Sequence, residues 1–347
     1  MTVDAAEARQ EPRKPITLKD VSDAAGVSLI TVSRALRQPE AVLPATRKRV
    51  MDAIKSTGYV PNLMARSLVS SRSNIVGLVV PTVGGSSLFA DLAEQLAKEL
   101  QEHSKQLLLG VYNWSESKEY EIVTAFLGRQ VDALVLTGFS HSASLHERVR
   151  RFDGPIVEIG SIRTAPIDMA VGYDNFAAAY DMTTHLLKRG YRRIAVVHGS
   201  TTHNDQALER YDGYCAAMKD AGRKVSHQLT VAVPTPTTIE QGRTAMFSLL
   251  DLAQPPDAAF FQTDNLAHGA MMACLSRGVS VPGDVAIAGF GDLSMSALLP
   301  VPLTTVKARI DALGREAAKV LLARFAGQQS SSTIHDVGYE LLIRAST

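Results

Sequence analysis

The chain has 347 residues, is 46% hydrophobic and 20% charged, and carries a formal net charge of +1. That composition can bury the cores of two or three ordinary domains and excludes a disordered chain. Its two cysteines, Cys215 and Cys274, are too few for a disulfide framework or a zinc cluster, and it holds no run of about 18 apolar residues that would span a bilayer.

The opening stretch MTVDAAEARQEPRKP is polar and lacks the apolar core of a signal peptide. Residues 1–14 are expected to be a disordered leader, and the protein is expected in a reducing, cytoplasmic setting. Charge is unevenly placed. Residues 13–72 carry 11 Lys and Arg against 4 Asp and Glu, while residues 73–347 carry 24 against 28. A basic head on a mildly acidic body suits a head that meets a polyanion.

The first structured segment is TLKDVSDAAGVSLITVSRAL, residues 17–36. Thr17 followed by Asp20 fits a capping box, and Val21, Ala24 and Ala25 give the helix behind it one apolar face. Gly26 stops that helix where the chain needs a positive φ. Ser28 can cap a second helix with Val32, Ala35 and Leu36 inward and Ser28, Leu29, Ile30, Thr31, Ser33 and Arg34 outward. Two helices joined by a tight glycine turn make a helix-turn-helix, whose second helix enters the DNA major groove at its N-terminal end. A third helix reads at PATRKRVMDAIKSTG, with Pro44 at its start, Val50, Ala53 and Ile54 inward, and Gly58 at its end. A glycine-joined helix pair alone also fits a plain helical bundle. The basic surplus and the hydroxyl-rich outer face favour DNA.

GYVPNLMARSLVSSRSNIVGLVVP joins the head to the body. In it Asn62 can cap a helix, Ala65 is small enough for two helices to approach closely, and Leu68 is an apolar wedge able to pry open a base step.

From Ile75 onward short apolar runs alternate with helical segments. Strands read at NIVGLVV, QLLLGVY, DALVLTG, PIVEIG, RRIAVVHG, DAAFFQ and DVAIAGF, and helices at LFADLAEQLAKELQEH and NLAHGAMMACLSRG. Repeated βα units give a doubly wound α/β sheet. The run is too long for one sheet and breaks near IDMAVGYDN, so two lobes with a cleft between them are expected. Ligands in such sheets sit beyond the C-terminal ends of the strands. That rule selects the loops at 86–89, 137–142, 158–161, 199–210, 262–265 and 290–292. VVPTVGGSS lacks the lysine and spacing of a phosphate-binding loop, and no GxGxxG occurs. The nine histidines are scattered, with no Ser/His/Asp or metal-spaced set. No catalytic residue, metal or cofactor is expected, which counts against a sugar-acid dehydrogenase. The basic head and missing export signal count against a transporter's solute-binding protein.

Taken together, TLKDVSDAAGVSLITVSRAL, YVPNLMARSL, HLLKRGYRRIAVVHG, VPGDVAIAGFGD and PLTTV resemble the LacI family of bacterial transcription regulators, from Ile16 to about residue 343. The resemblance implies a DNA-binding domain at 15–60 and a hinge helix at 61–72 that folds on DNA against its twin and enters the minor groove. It implies an effector-binding and dimerisation domain at 73–347, of the periplasmic sugar-binding type. Its first lobe would be 73–173 with 304–333, and its second 174–303 with 334–347. Leu29, Ile30 and Arg34 would face base edges. Thr17, Ser28, Thr31, Ser33, Thr46 and Asn62 would hold the DNA backbone, with Ala65 and Leu68 in the hinge. Leu29 and Ile30 cannot hydrogen-bond, so they would read thymine methyls or shape. The partners implied are a pseudo-palindromic operator, a second copy of the chain and a small effector. YELLIRAST has no leucine heptad behind it, so a dimer rather than a tail-mediated tetramer is expected.

Arg210, three residues before Gly213 in ALERYDGY, matches the family's main effector-binding arginine, and a guanidinium suits a carboxylate or vicinal hydroxyls. Many members carry two acidic residues where this chain has Gly291 and Asp292, and Asn–Asp where it has Thr263 and Asp264. A missing carboxylate lowers repulsion toward an anion, and His141 in LTGFSHSAS can donate to one. Ser86, Phe89, Glu158 and Asn204 complete the expected effector set. PIVEIG, MAVGYDNFAAAYDMTTHLL, LVLTGFSHS and AIAGF are similar to the gluconate-utilisation repressor branch, which implies a sugar-acid effector such as gluconate or 2-ketogluconate. A neutral-sugar effector, or a corepressor in place of an inducer, remains open at this point.

Overall fold

In the computed structural model, residues 16–60, 72–84, 88–328 and 332–347 are described. Asn62, Ala65 and Leu68 of the linker, the leader, and Ser86 lie outside them. The chain divides into two compact units, with the boundary between Ser73 and Asn74.

The head holds three helices, α1 (Leu18–Ala25), α2 (Leu29–Arg37) and α3 (Pro44–Thr57). Thr17 caps α1 in a full capping box, and Gly26 ends it at φ 61°. Ser28 caps α2 by accepting from the Thr31 amide. Val21, Ala25, Val32, Ala35, Val50 and Ala53 form the miniature core. Ala24, expected on the inner face of α1, is exposed, and Ser22 is buried in its stead. The Ser22 hydroxyl donates to the Val27 carbonyl at 2.7 Å. That bond closes the turn and makes burial of the polar side chain tolerable.

The first lobe of the body is built from β1 (Ile75–Val80), α4 (Leu88–Glu102), β2 (Gln106–Val111), α5 (Glu116–Gly128), β3 (Ala133–Thr137), α6 (Ala143–Val149), β4 (Ile156–Ile159) and β5 (Met169–Gly172). The second follows with α7 (Asn175–Lys188), β6 (Ile194–Gly199), α8 (Asp205–Asp220), β7 (Thr230–Val233), α9 (Ile239–Leu250), β8 (Ala258–Phe261), α10 (Asp264–Arg277), β9 (Ala286–Phe290) and β10 (Thr304–Ala308). Helix α11 (Ile310–Phe325), β11 (Ile334–Asp336) and β12 (Tyr339–Leu342) complete the chain. One sheet runs β2-β1-β3-β4-β5-β11 and the other β7-β6-β8-β9-β10-β12. Apart from β12, antiparallel to β10, all pairings are parallel. Both sheets thus start from their second-placed strand and reverse direction there, which opens a crevice at the strand C-termini. Strands β3, β6, β8 and β9 are buried at every residue, as expected of strands covered on both faces.

The lobe boundaries differ from those expected. β10, assigned from sequence to the first lobe, pairs with β9 of the second, Thr304 opposite Ala288. β11, assigned to the second, pairs with β5 of the first, Ile334 opposite Ala170. The crossings therefore fall behind β10 and behind β11. The reason is long-range: the Thr304 amide donates to the Ser346 hydroxyl at 2.8 Å, and that hydroxyl donates to Ile287. A five-residue apolar run does not reveal which sheet will take it. Likewise IDMAVGYDN, where the strand pattern breaks, contains β5, which is only four residues long.

Candidate nucleic-acid interface and effector cleft

On the head, Leu29 is 46% and Ile30 71% exposed in the first turn of α2. Arg34, four residues beyond Ile30 and so one turn along the same face, is exposed too. These three point away from the Val32 and Ala35 core. Leucine and isoleucine left bare at a helix N-terminus beside an arginine form a surface fit for methyl groups and acceptor atoms of base edges. The Thr31 hydroxyl lies 2.9 Å from that of Ser28. Ser33 is engaged by Arg37. Thr17 is tied to Asp20, whose carboxylate accepts from its amide at 2.7 Å and its hydroxyl at 2.8 Å. Thr46 is half-buried in the first turn of α3.

In the body, a cavity of about 150 Å³ lies between the lobes, beyond the C-terminal ends of both sheets. The first lobe supplies Phe89, Trp114 and Thr137, and the second Asn204, Asp205, Arg210, Thr263 and Phe290. Arg210 is the central group. It is only 9% exposed. Its Nη1 donates to the Asn175 side-chain oxygen at 2.7 Å, and the guanidinium stacks 4.8 Å from the Phe290 ring centre. Its Nε has no hydrogen-bond partner. Among the described residues no carboxylate lies within ion-pair distance of it. Burial pushes its pKa below the usual arginine value. A guanidinium shut away from water against a neutral amide is a standing cost, and an anion in the cavity would relieve it.

The other expected effector residues fall into two groups. Phe89, Asn204, Thr263 and Asp264 line the cavity with Arg210. Asn204 caps α8, accepting from the Ala207 amide at 3.1 Å, and the Thr263 hydroxyl lies 3.1 Å from that of Thr237. Asp264 is already satisfied: its carboxylate accepts from the Leu293 amide at 2.9 Å and the Ser296 and Thr305 hydroxyls at 2.6 Å each. It ties α10 to β10 and to the loop behind β9 rather than offering an open acceptor.

His141, Glu158, Gly291 and Asp292 are not on the cavity wall. His141 is buried, 2.8 Å from Glu119 and 3.5 Å from Glu158, and Glu158 also accepts from the Ile167 amide. Burial pulls the imidazole pKa down, but the carboxylates of Glu119 and Glu158 outweigh it and raise it to about 10. His141 is therefore held off the cavity wall by Glu119, while its Nε2 lies 3.5 Å from Glu158 and makes no hydrogen bond. Asp292 accepts from Arg344 at 2.6 Å. Gly291 adopts φ +132° and donates to Val306 at 2.7 Å.

Sequence reasoning missed Tyr112, Trp114, Tyr173 and the 235–237 segment, all on the cavity wall. Each follows the end of β2, β5 or β7. The same strand-end rule, applied to those three strands, finds them. Among the described residues no group of three His, Cys, Asp or Glu is placed to hold a metal ion, and no helix is long and apolar enough to cross a membrane.

Residues 17–62 match the model of bacterial regulatory proteins of the lacI family, and residues 183–347 match the periplasmic binding protein-like domain. The HTH-type transcriptional regulator GntR of Pseudomonas aeruginosa is 33% identical over 331 residues, 95% of each chain. The chain belongs to the LacI family. The HTH-type transcriptional repressor CytR of Escherichia coli is 32% identical over 335 residues, covering 95% of this chain and 96% of its own. A crystal structure of a LacI-family regulator from Silicibacter pomeroyi superposes with a TM-score of 0.88 at 28% identity, covering 96% of this chain and 99% of the other. As a LacI-family member the chain is a DNA-binding transcriptional regulator and not an enzyme. The exposed first turn of α2 lies in the segment that matches the family model, and the interlobe cavity lies mostly against the segment that matches the periplasmic binding protein-like domain.

Proposed function

We propose that this LacI-family regulator is a dimeric repressor of sugar-acid catabolic genes, released from its operator by an aldonate such as gluconate or 2-ketogluconate. Relatives named GntR are 33% and 30% identical to this chain, and CytR is 32% identical. The choice of effector therefore rests on the site, and on one observation in it: Arg210 is buried on the cavity wall without a carboxylate partner. A monocarboxylate supplies the missing charge, and its hydroxyls find the threonines and amides around it. Two heads would place Leu29, Ile30 and Arg34 in successive major grooves, about 34 Å apart, with Asn62, Ala65 and Leu68 bending the centre. Release follows only if the aldonate binds the DNA-free arrangement more tightly than the DNA-bound one.

Calorimetric titration with gluconate, 2-ketogluconate and glucose, followed by release of a labelled palindromic operator fragment, tests this. The acids should bind, should release the DNA, and should lose about 2–5 kcal/mol of affinity in Arg210→Ala. Binding of glucose alone, or gluconate affinity indifferent to Arg210, would sink the aldonate assignment and leave the family function standing.

A further inference from the structure

One turn of α8 faces two ways. Arg210 looks into the cavity, while Asp205 and Glu209, four residues apart and so on a shared face, reach the first lobe. Asp205 accepts from the Phe139 amide at 3.1 Å. Both oxygens of Glu209 lie 2.8 Å from the Ser161 hydroxyl. Just before the helix, His203 pairs with Glu116 of α5 at 2.9 Å. Asn175 joins the two faces: its amide nitrogen donates to Gly160 of the first lobe at 2.7 Å while its oxygen accepts from Arg210. Glycines at 138 and 160 allow the contact, since a Cβ on either would strike Asp205 or Gln206.

From this geometry we infer that Asp205 and Glu209 are positioning residues for effector binding, clasping the first lobe so that occupation of Arg210 and closure of the lobes are one event. Glu209 is off the cavity wall, and Asp205, which lines it, spends its carboxylate on the Phe139 amide. They fix the helix that carries Arg210. The clasp carries a desolvation cost. Closure buries both carboxyls, and burial raises the pKa of each, that of Glu209 to about 6. Hydrogen bonds from the Phe139 amide and the Ser161 hydroxyl oppose that cost.

The inference rests on the aldonate reading only for its probe, gluconate. Trp114, the single tryptophan, lines the cavity and reports closure without any ligand. The experiment compares wild type with Glu209→Ala, Ser161→Ala, the double variant and Glu209→Gln, by Trp114 emission in the ligand-free protein and by gluconate titration. Both single alanine variants should shift emission to the red and weaken gluconate about tenfold, the double should be no worse than the worse single, and Glu209→Gln should restore most of the affinity. Melting temperatures should stay together, because Glu209 and Ser161 lie outside the apolar clusters of both lobes. Emission and affinity equal to wild type in the double variant would overturn the clasp. If gluconate binds none of the proteins, the aldonate reading falls, and the Trp114 comparison still decides the clasp.

Discussion

The two lobes share a strand order but bury charge in opposite ways. The first buries a cation, His141, between two carboxylates. The second buries a cation, Arg210, against a neutral amide. In sequence both read as cationic effector contacts in strand-end loops. Their surroundings separate them: two carboxylates lie within 3.5 Å of His141, away from the cavity, whereas Arg210 lines the cavity with no carboxylate in ion-pair distance.

This contrast can be broken by measuring stability. The largest loss is expected for His141→Ala, which strands Glu119 and Glu158: about 3–5 kcal/mol by denaturant titration. The imidazole pKa is raised from its ordinary 6.5 to about 10. Its contribution is therefore complete below pH 6.5 and fades as pH rises through about 10. Wild-type stability should fall between pH 7 and pH 10, and that slope should flatten in the variant. A loss below about 1 kcal/mol would show that the network does not hold the first lobe.

Asp264→Asn should come next. One acceptor then serves three donors, at a cost of about 1–3 kcal/mol in stability. Gluconate affinity should fall far less than in Arg210→Ala, and an equal fall would return Asp264 to the ligand. Arg210→Met should leave the melting temperature at or above that of wild type, since it removes a buried charge that has only a neutral amide and a ring against it. A marked fall would mean that Arg210 is structural after all. Ile30→Ala should change stability by less than about 0.5 kcal/mol, because the side chain is 71% exposed. Its effect belongs in operator affinity, measured by gel shift at a stated salt concentration.

The head was the most legible part of the chain, because caps and turns are local. Thr17, Gly26, Ser28 and Gly58 each act within four residues of their own position. The apolar runs that became β1, β3, β6, β8 and β9 were equally plain, since strands buried on both faces carry little but hydrophobes. Partnership over long range was not legible. Nothing near Thr304 says that Ser346 will hold it in the second sheet. Nothing near His141 says that Glu119, 22 residues away, will accept its hydrogen bond. Of the cleft residues, Arg210 was found because a local motif surrounds it. Trp114 and Tyr173 escaped because single aromatics behind short strands carry no motif.

Gly291 has a consequence for engineering. Its φ of +132° is one that L-residues rarely adopt, and a Cβ there would meet Leu88 at 3.4 Å. Restoring the acidic residue that many family members carry would strain the backbone before the new carboxylate reached any ligand. On the aldonate reading, retuning this regulator toward a neutral sugar by a change at position 291 alone should yield folding defects first, because the backbone of the loop behind β9 must change with it.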